Sequence, residues 1–420
     1  MFLLLLLLIT VEVGAFLQYD EAMKKPTFKA DGVLARLVQK EQKRQKNTIN
    51  LIASENIAPA GVQELLGSVF VNKYCEGYPN KRYYAGCDVC DDVELLAQQR
   101  ARDVFGLKKQ WHVNVQAYSG AIANLAIFLG LAGPGGKILS MNLFSGGHLS
   151  HGSRVSFSGK LFSVRHYGVD DEYAIDYGAL EKLAKKYKPT IIVSGASAYP
   201  KKIDFKKIGT IAKKVGAYHL ADISHVAGLV AGGAYSSPFA HADVVMSTTH
   251  KSLLGPRGAL VFANTRSAVT KKRGVVIGDV LNKALFPGLQ GGPHMHTIAA
   301  IAHGLFLVDS AGFKTYTRRV VANARALVVA LKNLGFPIIG RGTDSHMVLV
   351  DVSFLGIDGA QAQMRLEKKN ILVNRNVVAS DTSVQHPSAI RLGTYWVTMR
   401  GMGEDDMKVL AQIIAKTLKK

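Results

Sequence analysis

Apolar and polar positions follow two rhythms along the chain, and their order predicts the fold. Short, nearly unbroken apolar runs at Lys137–Leu143, Thr190–Ser194, Tyr218–Ile223, Val244–Thr248 and Gly258–Ala263 read as strands buried on both faces. Between them, Tyr177–Lys188 and Phe205–Val215 space apolar residues three and four apart, as a helix with one buried face does. Strands alternating with helices need crossover connections, so the pattern predicts a mostly parallel sheet with helices on both sides. Two long helical stretches follow, His296–Leu307 and Phe313–Leu334, the second stopped by Gly335-Phe336-Pro337. The remainder reads as a smaller α+β unit: strand Met347–Val352, helix Ala360–Lys368, strand Ile390–Gly393 and a helix from Glu404. Upstream, a polar helical arm starts near Asp31, and a Tyr- and Gly-rich stretch runs on to about Cys87. The expected organisation is an N-terminal extension (1–27), an arm and interface segment (28–90), a large doubly wound domain (91–312) and a small C-terminal domain (313–420).

The extension opens on an unbroken apolar run, Phe2–Ile9. It is too short to span a bilayer and lacks the basic residues that precede the apolar core of a secretory signal. Val13-Gly14-Ala15 has the small residues of a cleavage site, so an export or targeting signal stays open beside the expected cytoplasmic location. No other segment is long and apolar enough to cross a membrane. Hydrophobic residues at 48% and charged ones at 20% exclude a disordered chain and supply a sizeable core. Three cysteines in 420 residues exclude a disulfide scaffold and favour a reducing compartment. Lys and Arg outnumber Asp and Glu by 52 to 31, a net charge of +21, which invites a nucleic-acid partner. The lysines, however, are scattered at surface-like helical positions (Lys185, Lys186, Lys206, Lys207, Lys213, Lys214), with no basic tail or nucleic-acid motif. The excess therefore reads as a basic surface around a site for anionic ligands, with RNA binding a minor role.

Two local motifs are set aside. Cys87-Asp88-Val89-Cys90 has the C-x-x-C spacing, but only Cys75 remains to complete a four-ligand zinc site, so no metal is expected. Gly133-Pro134-Gly135-Gly136-Lys137 lacks both the upstream Gly and the Ser or Thr of a phosphate loop. Three features at strand ends are more informative. Asp222 closes one predicted strand, with Ser224 and His225 just beyond it; Ser247-Thr248-Thr249-His250-Lys251 closes the next. Tyr118-Ser119-Gly120-Ala121 opens an apolar helix, offering backbone N–H groups and a hydroxyl to a phosphate. Ligands of open α/β sheets bind at the carboxyl ends of strands. A lysine amine, an acid to hold a pyridine nitrogen protonated, and a phosphate cradle are the groups that pyridoxal 5'-phosphate chemistry needs.

Family-specific blocks then fall in order along nearly the whole chain. They include Leu51-Ile52-Ala53-Ser54-Glu55-Asn56, Asn72-Lys73-Tyr74-Cys75-Glu76-Gly77-Tyr78-Pro79 and Arg82-Tyr83-Tyr84. Gly146-Gly147-His148-Leu149, Asp222 with His225-Val226-Ala227-Gly228, Thr248-Thr249-His250-Lys251, Gln290-Gly291-Gly292-Pro293 and Ile390-Arg391-Leu392-Gly393-Thr394 continue the series. The chain resembles serine hydroxymethyltransferase, a fold-type I pyridoxal-phosphate enzyme, from about Asp31 onward. The resemblance implies that Lys251 carries the cofactor, Asp222 partners the pyridine nitrogen, His225 lies near the ring hydroxyl and His148 stacks on the ring. It implies that Ser119, Gly120, Gly292 and Ser197 contact the cofactor, and it counts His250 among the catalytic groups. Arg391 resembles the clamp on the amino-acid carboxylate, assisted by Ser54. Glu76 resembles the acid/base group for the hydroxymethyl proton, with Tyr74 and Tyr83 brought from another subunit. Leu143, Gly147, Leu149 and Asn376, with Tyr84 nearby, lie where the family holds tetrahydrofolate. The activity implied is interconversion of serine and glycine with tetrahydrofolate as acceptor, in a homodimer or tetramer. The alternative is a pyridoxal-phosphate aldolase or transaldolase for β-hydroxy amino acids that uses no folate.

The chain departs from the family pattern in four places. Ala121 removes a second hydroxyl after Ser119-Gly120, Ser145 stands where a His is common, and Leu254 replaces a smaller or basic residue. Tyr395-Trp396 replaces Pro-Ala after Gly393-Thr394, which is expected either to reshape the pocket floor or to pack in the small domain.

Overall fold

The structure, a computed structural model, describes residues 31–419; the Phe2–Ile9 run and the rest of the 1–27 extension lie outside them. The chain divides after Ile49. The first unit carries helix α1 (Gly32–Asn47), whose N-terminus is capped by Asp31: one carboxylate oxygen accepts from the N–H groups of Val33 and Leu34 at 3.1 Å each.

The second unit, from Asn50 onward, is built on a seven-stranded sheet. Its strands are β1 (Trp111–Asn114), β2 (Lys137–Met141), β3 (Ser163–Tyr167), β4 (Ile191–Ser194), β5 (Tyr218–Asp222), β6 (Val244–Thr248) and β7 (Ala259–Asn264). They lie in the order β1-β7-β6-β5-β4-β2-β3. The ladders from β6 to β3 are all parallel, and β7 runs against both of its neighbours. Alternate strand residues enter two apolar layers, as the period of two requires. Ile138, Ile191, Val193, Leu220 and Val244 pack with helices α3 (Gly120–Ala132) and α6 (Ile277–Leu285) on one face. Leu139, Ile192, Ala221 and Val245 pack on the other with α2 (Asp88–Val104), α4 (Tyr177–Tyr187), α5 (Phe205–Val215) and α7 (Met295–Val308). Helices on both faces make the sheet doubly wound, in agreement with the fold-type I expectation.

The apolar run expected to continue as a strand to Leu143 stops at Met141 because Asn142 turns the chain: its side-chain oxygen accepts from the Phe144 N–H at 2.9 Å. Beyond α8 (Ala311–Asn333) stands a three-stranded antiparallel sheet of β8 (Met347–Asp351), β9 (Asn374–Asn376) and β10 (Ala389–Gly393), in the order β8-β10-β9. Helices α9 (Gly359–Glu367) and α10 (Glu404–Leu418) complete this part, α10 lying along α8. No helix among the described residues is long and apolar enough to cross a membrane.

Candidate active site

Strands β2, β4, β5 and β6 are parallel, so their carboxyl ends deliver four loops to one edge of the sheet. A cavity of about 490 Å³ lies there, with Lys251, Asp222, His148, His225, His250 and Ser197 in its wall. Ser54, Gly120, Leu143, Gly147, Leu149, Asn376 and Arg391 line it as well, so most of the residues expected at the site from sequence do meet. Gly195 makes the crowding at the β4 end feasible: its φ is +127°, and a Cβ there would overlap the Asp222 carbonyl oxygen.

Asp222 is the best-anchored group. Its Oδ2 pairs with His151 Nε2 at 2.8 Å and accepts from Asn124 Nδ2 at 3.1 Å, while Oδ1 accepts from the Ser224 N–H at 3.0 Å. Burial alone would raise its pKa, but the hydrogen bonds from His151 and Ser224 and the charges of His151 and Lys251 hold the carboxyl well below the usual range. It is therefore an ionised acid in a dry setting. Burial pushes the Lys251 amine down to about 8, opposed by Asp222 and reinforced by Arg391 and Arg257. An amine lowered this far has a usable free-base fraction near neutral pH, as a nucleophilic lysine requires. Burial also lowers His148 and His250 to about 4 and His225 well below its ordinary value, so all three imidazoles are neutral at pH 7.

Arg391 enters from the middle strand of the small sheet, opposite Leu349 and Asn374. One terminal nitrogen donates to the Ser197 carbonyl at 2.6 Å and the other to Asn374 Oδ1 at 3.0 Å, which fixes the guanidinium plane. Its Nε, together with Thr248 Oγ1, His225 Nδ1 and His250 Nδ1, is buried without a protein partner. Unpartnered buried polar atoms are rare in folded proteins, and four of them around one cavity fit a polar, anionic ligand. The residues present thus suit pyridoxal phosphate and an amino-acid carboxylate.

The sequence model of the serine hydroxymethyltransferase family matches residues 28–414. The cytosolic serine hydroxymethyltransferase of Encephalitozoon cuniculi (strain GB-M1) is 47% identical over 401 residues, covering 94% of this chain and 87% of that protein. The chain belongs to the serine hydroxymethyltransferase family. It is an enzyme that interconverts serine and glycine, and nothing in the comparisons favours the folate-free aldolase.

Not every expected residue of this hydroxymethyltransferase reaches the cavity. Tyr74, Glu76, Tyr83, Tyr84 and Gly292 are absent from its wall. Tyr74 packs at a tilt against Tyr84 with ring centres 5.0 Å apart, Tyr83 packs on Phe286, and the Glu76 carbonyl accepts from the Tyr83 N–H at 3.0 Å. Gly291 and Gly292 lie against Glu76 and Tyr74 respectively. Tyr83 remains 76% exposed and Tyr74 55%, so both rings lie on the surface of the chain. Ser119 serves α3 as its N-cap, accepting from the Ile122 N–H at 3.4 Å, while Gly120 and Ala121 present the helix end to the cavity. Tyr395 and Trp396 are both buried and neither lines the cavity. Cys75, Cys87 and Cys90 are free and buried, and no group of side chains able to hold a metal occurs among the described residues.

Three contributors escaped the sequence reading. His151 and Asn124 grip Asp222, and Arg257 lines the cavity beside Lys251. The spacing His148-x-x-His151 was the only local signal for the first. Asn124 looks like any polar residue in an apolar helix, and Arg257 like a loop cation.

Proposed function

We propose that this chain transfers the hydroxymethyl carbon of serine to tetrahydrofolate, with pyridoxal 5'-phosphate held in the Lys251 cavity. The observation that carries this reading is the convergence of Lys251, ionised Asp222 and the half-satisfied Arg391 on one cavity at the strand ends. Pyridoxal phosphate, when bound, supplies an electron sink for negative charge that develops on the amino-acid α-carbon. Lys251 would carry it, Asp222 would keep a proton on its ring nitrogen, and the N-terminus of α3 at Gly120 would face its phosphate. Neutral His148 offers a flat ring wall without a competing charge, and His225 a free Nδ1. Arg391 would take the substrate carboxylate with Nε and the edge of its fixed plane, Ser54 assisting. Leu143, Gly147, Leu149 and Asn376 would receive the folate. Glu76, the group that moves the hydroxymethyl proton, would come with Tyr74, Tyr83 and Gly292 from a second copy of the chain, whose exposed face carries them. A cytosolic location, as the relative's name states for that protein, completes the reading.

The test is serine cleavage measured with and without tetrahydrofolate, beside the Lys251→Ala variant. Folate-dependent turnover is expected in the parent. Lys251→Ala should lose turnover and the visible absorbance of lysine-bound pyridoxal phosphate while keeping a native circular-dichroism spectrum. Turnover indifferent to folate would refute the acceptor, and unchanged absorbance in the variant would refute the lysine.

A further inference from the structure

We propose that Tyr395, although it does not reach the cavity, is a positioning residue that locks together the two loops carrying His225 and Lys251. Its side chain is 1% exposed and projects from the small domain just past β10. The phenol donates to the His225 carbonyl at 2.9 Å, and Ser252, the residue after Lys251, acts electrostatically on the same phenol. Ser252 Oγ in turn accepts from the Gly228 N–H at 2.8 Å. The phenol therefore anchors the backbone of His225, and the same loop, through Gly228, is bonded to the residue next to Lys251.

The ring does a second job. It stacks on His346 with centroids 4.1 Å apart and planes 25° from parallel, and His346 lies behind His225 at 5.7 Å and 14°. His346 is itself held, its Nε2 pairing with the Ala53 carbonyl at 3.1 Å, next to Ser54. The back of the His225 imidazole thus rests on a fixed stack of rings while its Nδ1 stays free. Burial pushes the Tyr395 phenol well above its ordinary pKa, so it remains a donor. Arg391 lies four residues earlier on the same segment, so the carboxylate clamp and this plug dock together. The family pattern has proline at this position, so the hydroxyl bridge is a property of this chain's own sequence.

The inference rests on Lys251 carrying pyridoxal phosphate. Tyr395→Phe keeps the ring stack and deletes only the hydroxyl. It should weaken pyridoxal phosphate binding about tenfold, the usual consequence of leaving buried hydrogen-bond partners unmet, and should raise the KM for serine more than it lowers kcat. A role confined to packing would lower the melting midpoints of loaded and cofactor-free protein equally and leave pyridoxal phosphate affinity and the KM unchanged, which overturns the proposal. Ser252→Ala removes the Gly228 bond at the other end of that connection. Combined with Tyr395→Phe it should add little to the larger single loss, whereas fully additive losses would mean that no shared bridge exists. Loss of lysine-bound absorbance in Lys251→Ala with no change in Tyr395→Phe refutes only the positioning role; retention of that absorbance in Lys251→Ala refutes the reading beneath it.

Discussion

Replacing Arg391 by lysine keeps a positive charge but not the geometry, and the structure allows the consequence to be sized. The guanidinium is held from both sides, by the Ser197 carbonyl at 2.6 Å and Asn374 Oδ1 at 3.0 Å, with Nε left over for a ligand. A single ammonium cannot serve both anchors and still meet a carboxylate with two parallel bonds. Loss of one hydrogen bond to a charged partner costs roughly 1.5–3 kcal/mol, so Arg391→Lys should raise the KM for serine about 10- to 100-fold. kcat should change less, because the carboxylate is held in the ground state and the transition state alike. The protonation state adds a second signature. Burial already lowers Arg391 to about 10 and Lys251 to about 8, so this pocket disfavours cations. An ammonium at 391 starts from a lower value than a guanidinium and loses its proton sooner. Between pH 7 and 9 the KM of the variant should climb, while the parent's guanidinium stays charged throughout. Steady-state kinetics at both pH values test this. A KM within threefold of the parent, or one that rises with pH in parallel with the parent's, would refute the assignment of Arg391 as the clamp.

Three other outcomes follow from the same site. The folded-state pKa of Lys251 lies below its unfolded value, about 8 against 10.5, so the unfolded chain binds more protons between those values and stability rises with pH there. Cofactor-free parent should therefore gain roughly 3 kcal/mol relative to Lys251→Met from pH 8 to 10.5, and urea midpoints that move in parallel would exclude it. His151→Leu removes a 2.8 Å hydrogen bond that helps to hold the Asp222 carboxyl below its usual range; pyridoxal phosphate affinity, read by absorbance titration, should fall about 10- to 100-fold. Glu76→Gln should still bind serine but lose folate-dependent transfer by roughly 10²–10⁴-fold, while cleavage of bulkier β-hydroxy amino acids falls less; equal loss of both activities counts against a proton-handling role.

The sequence pattern disclosed what is local and missed what is assembled from afar. Ile191–Ser194, Tyr218–Asp222 and Val244–Thr248 are legible because central parallel strands are buried on both faces and so read as continuous apolar runs. Ser163–Tyr167 lies at the sheet's edge, keeps Ser163, Arg165 and His166 exposed, and so shows no such run. Trp111–Asn114, at the opposite edge, is four residues long and ends in a polar side chain that hydrogen-bonds Asn282. The two lie where apolar continuity is not needed.

The same division runs through the site. Asp222 is legible because it ends a strand that the pattern marks, and Lys251 because it follows one by three residues; strand ends are where an open sheet binds ligands. His151 becomes functional only through a contact with a residue 71 positions later, and Arg391 is oriented by a carbonyl 194 positions away. Motif resemblance located Arg391 without revealing what holds it. It marked Tyr395 only as a departure, because the meaning of that side chain lies in partners at 225 and 346 that no spacing rule connects. The groups expected to perform the chemistry thus sit at positions that local pattern can mark, while the groups that set their charge and aim are fixed by tertiary packing. A substitution such as Pro to Tyr at 395 can change the second set while leaving every recognisable motif intact.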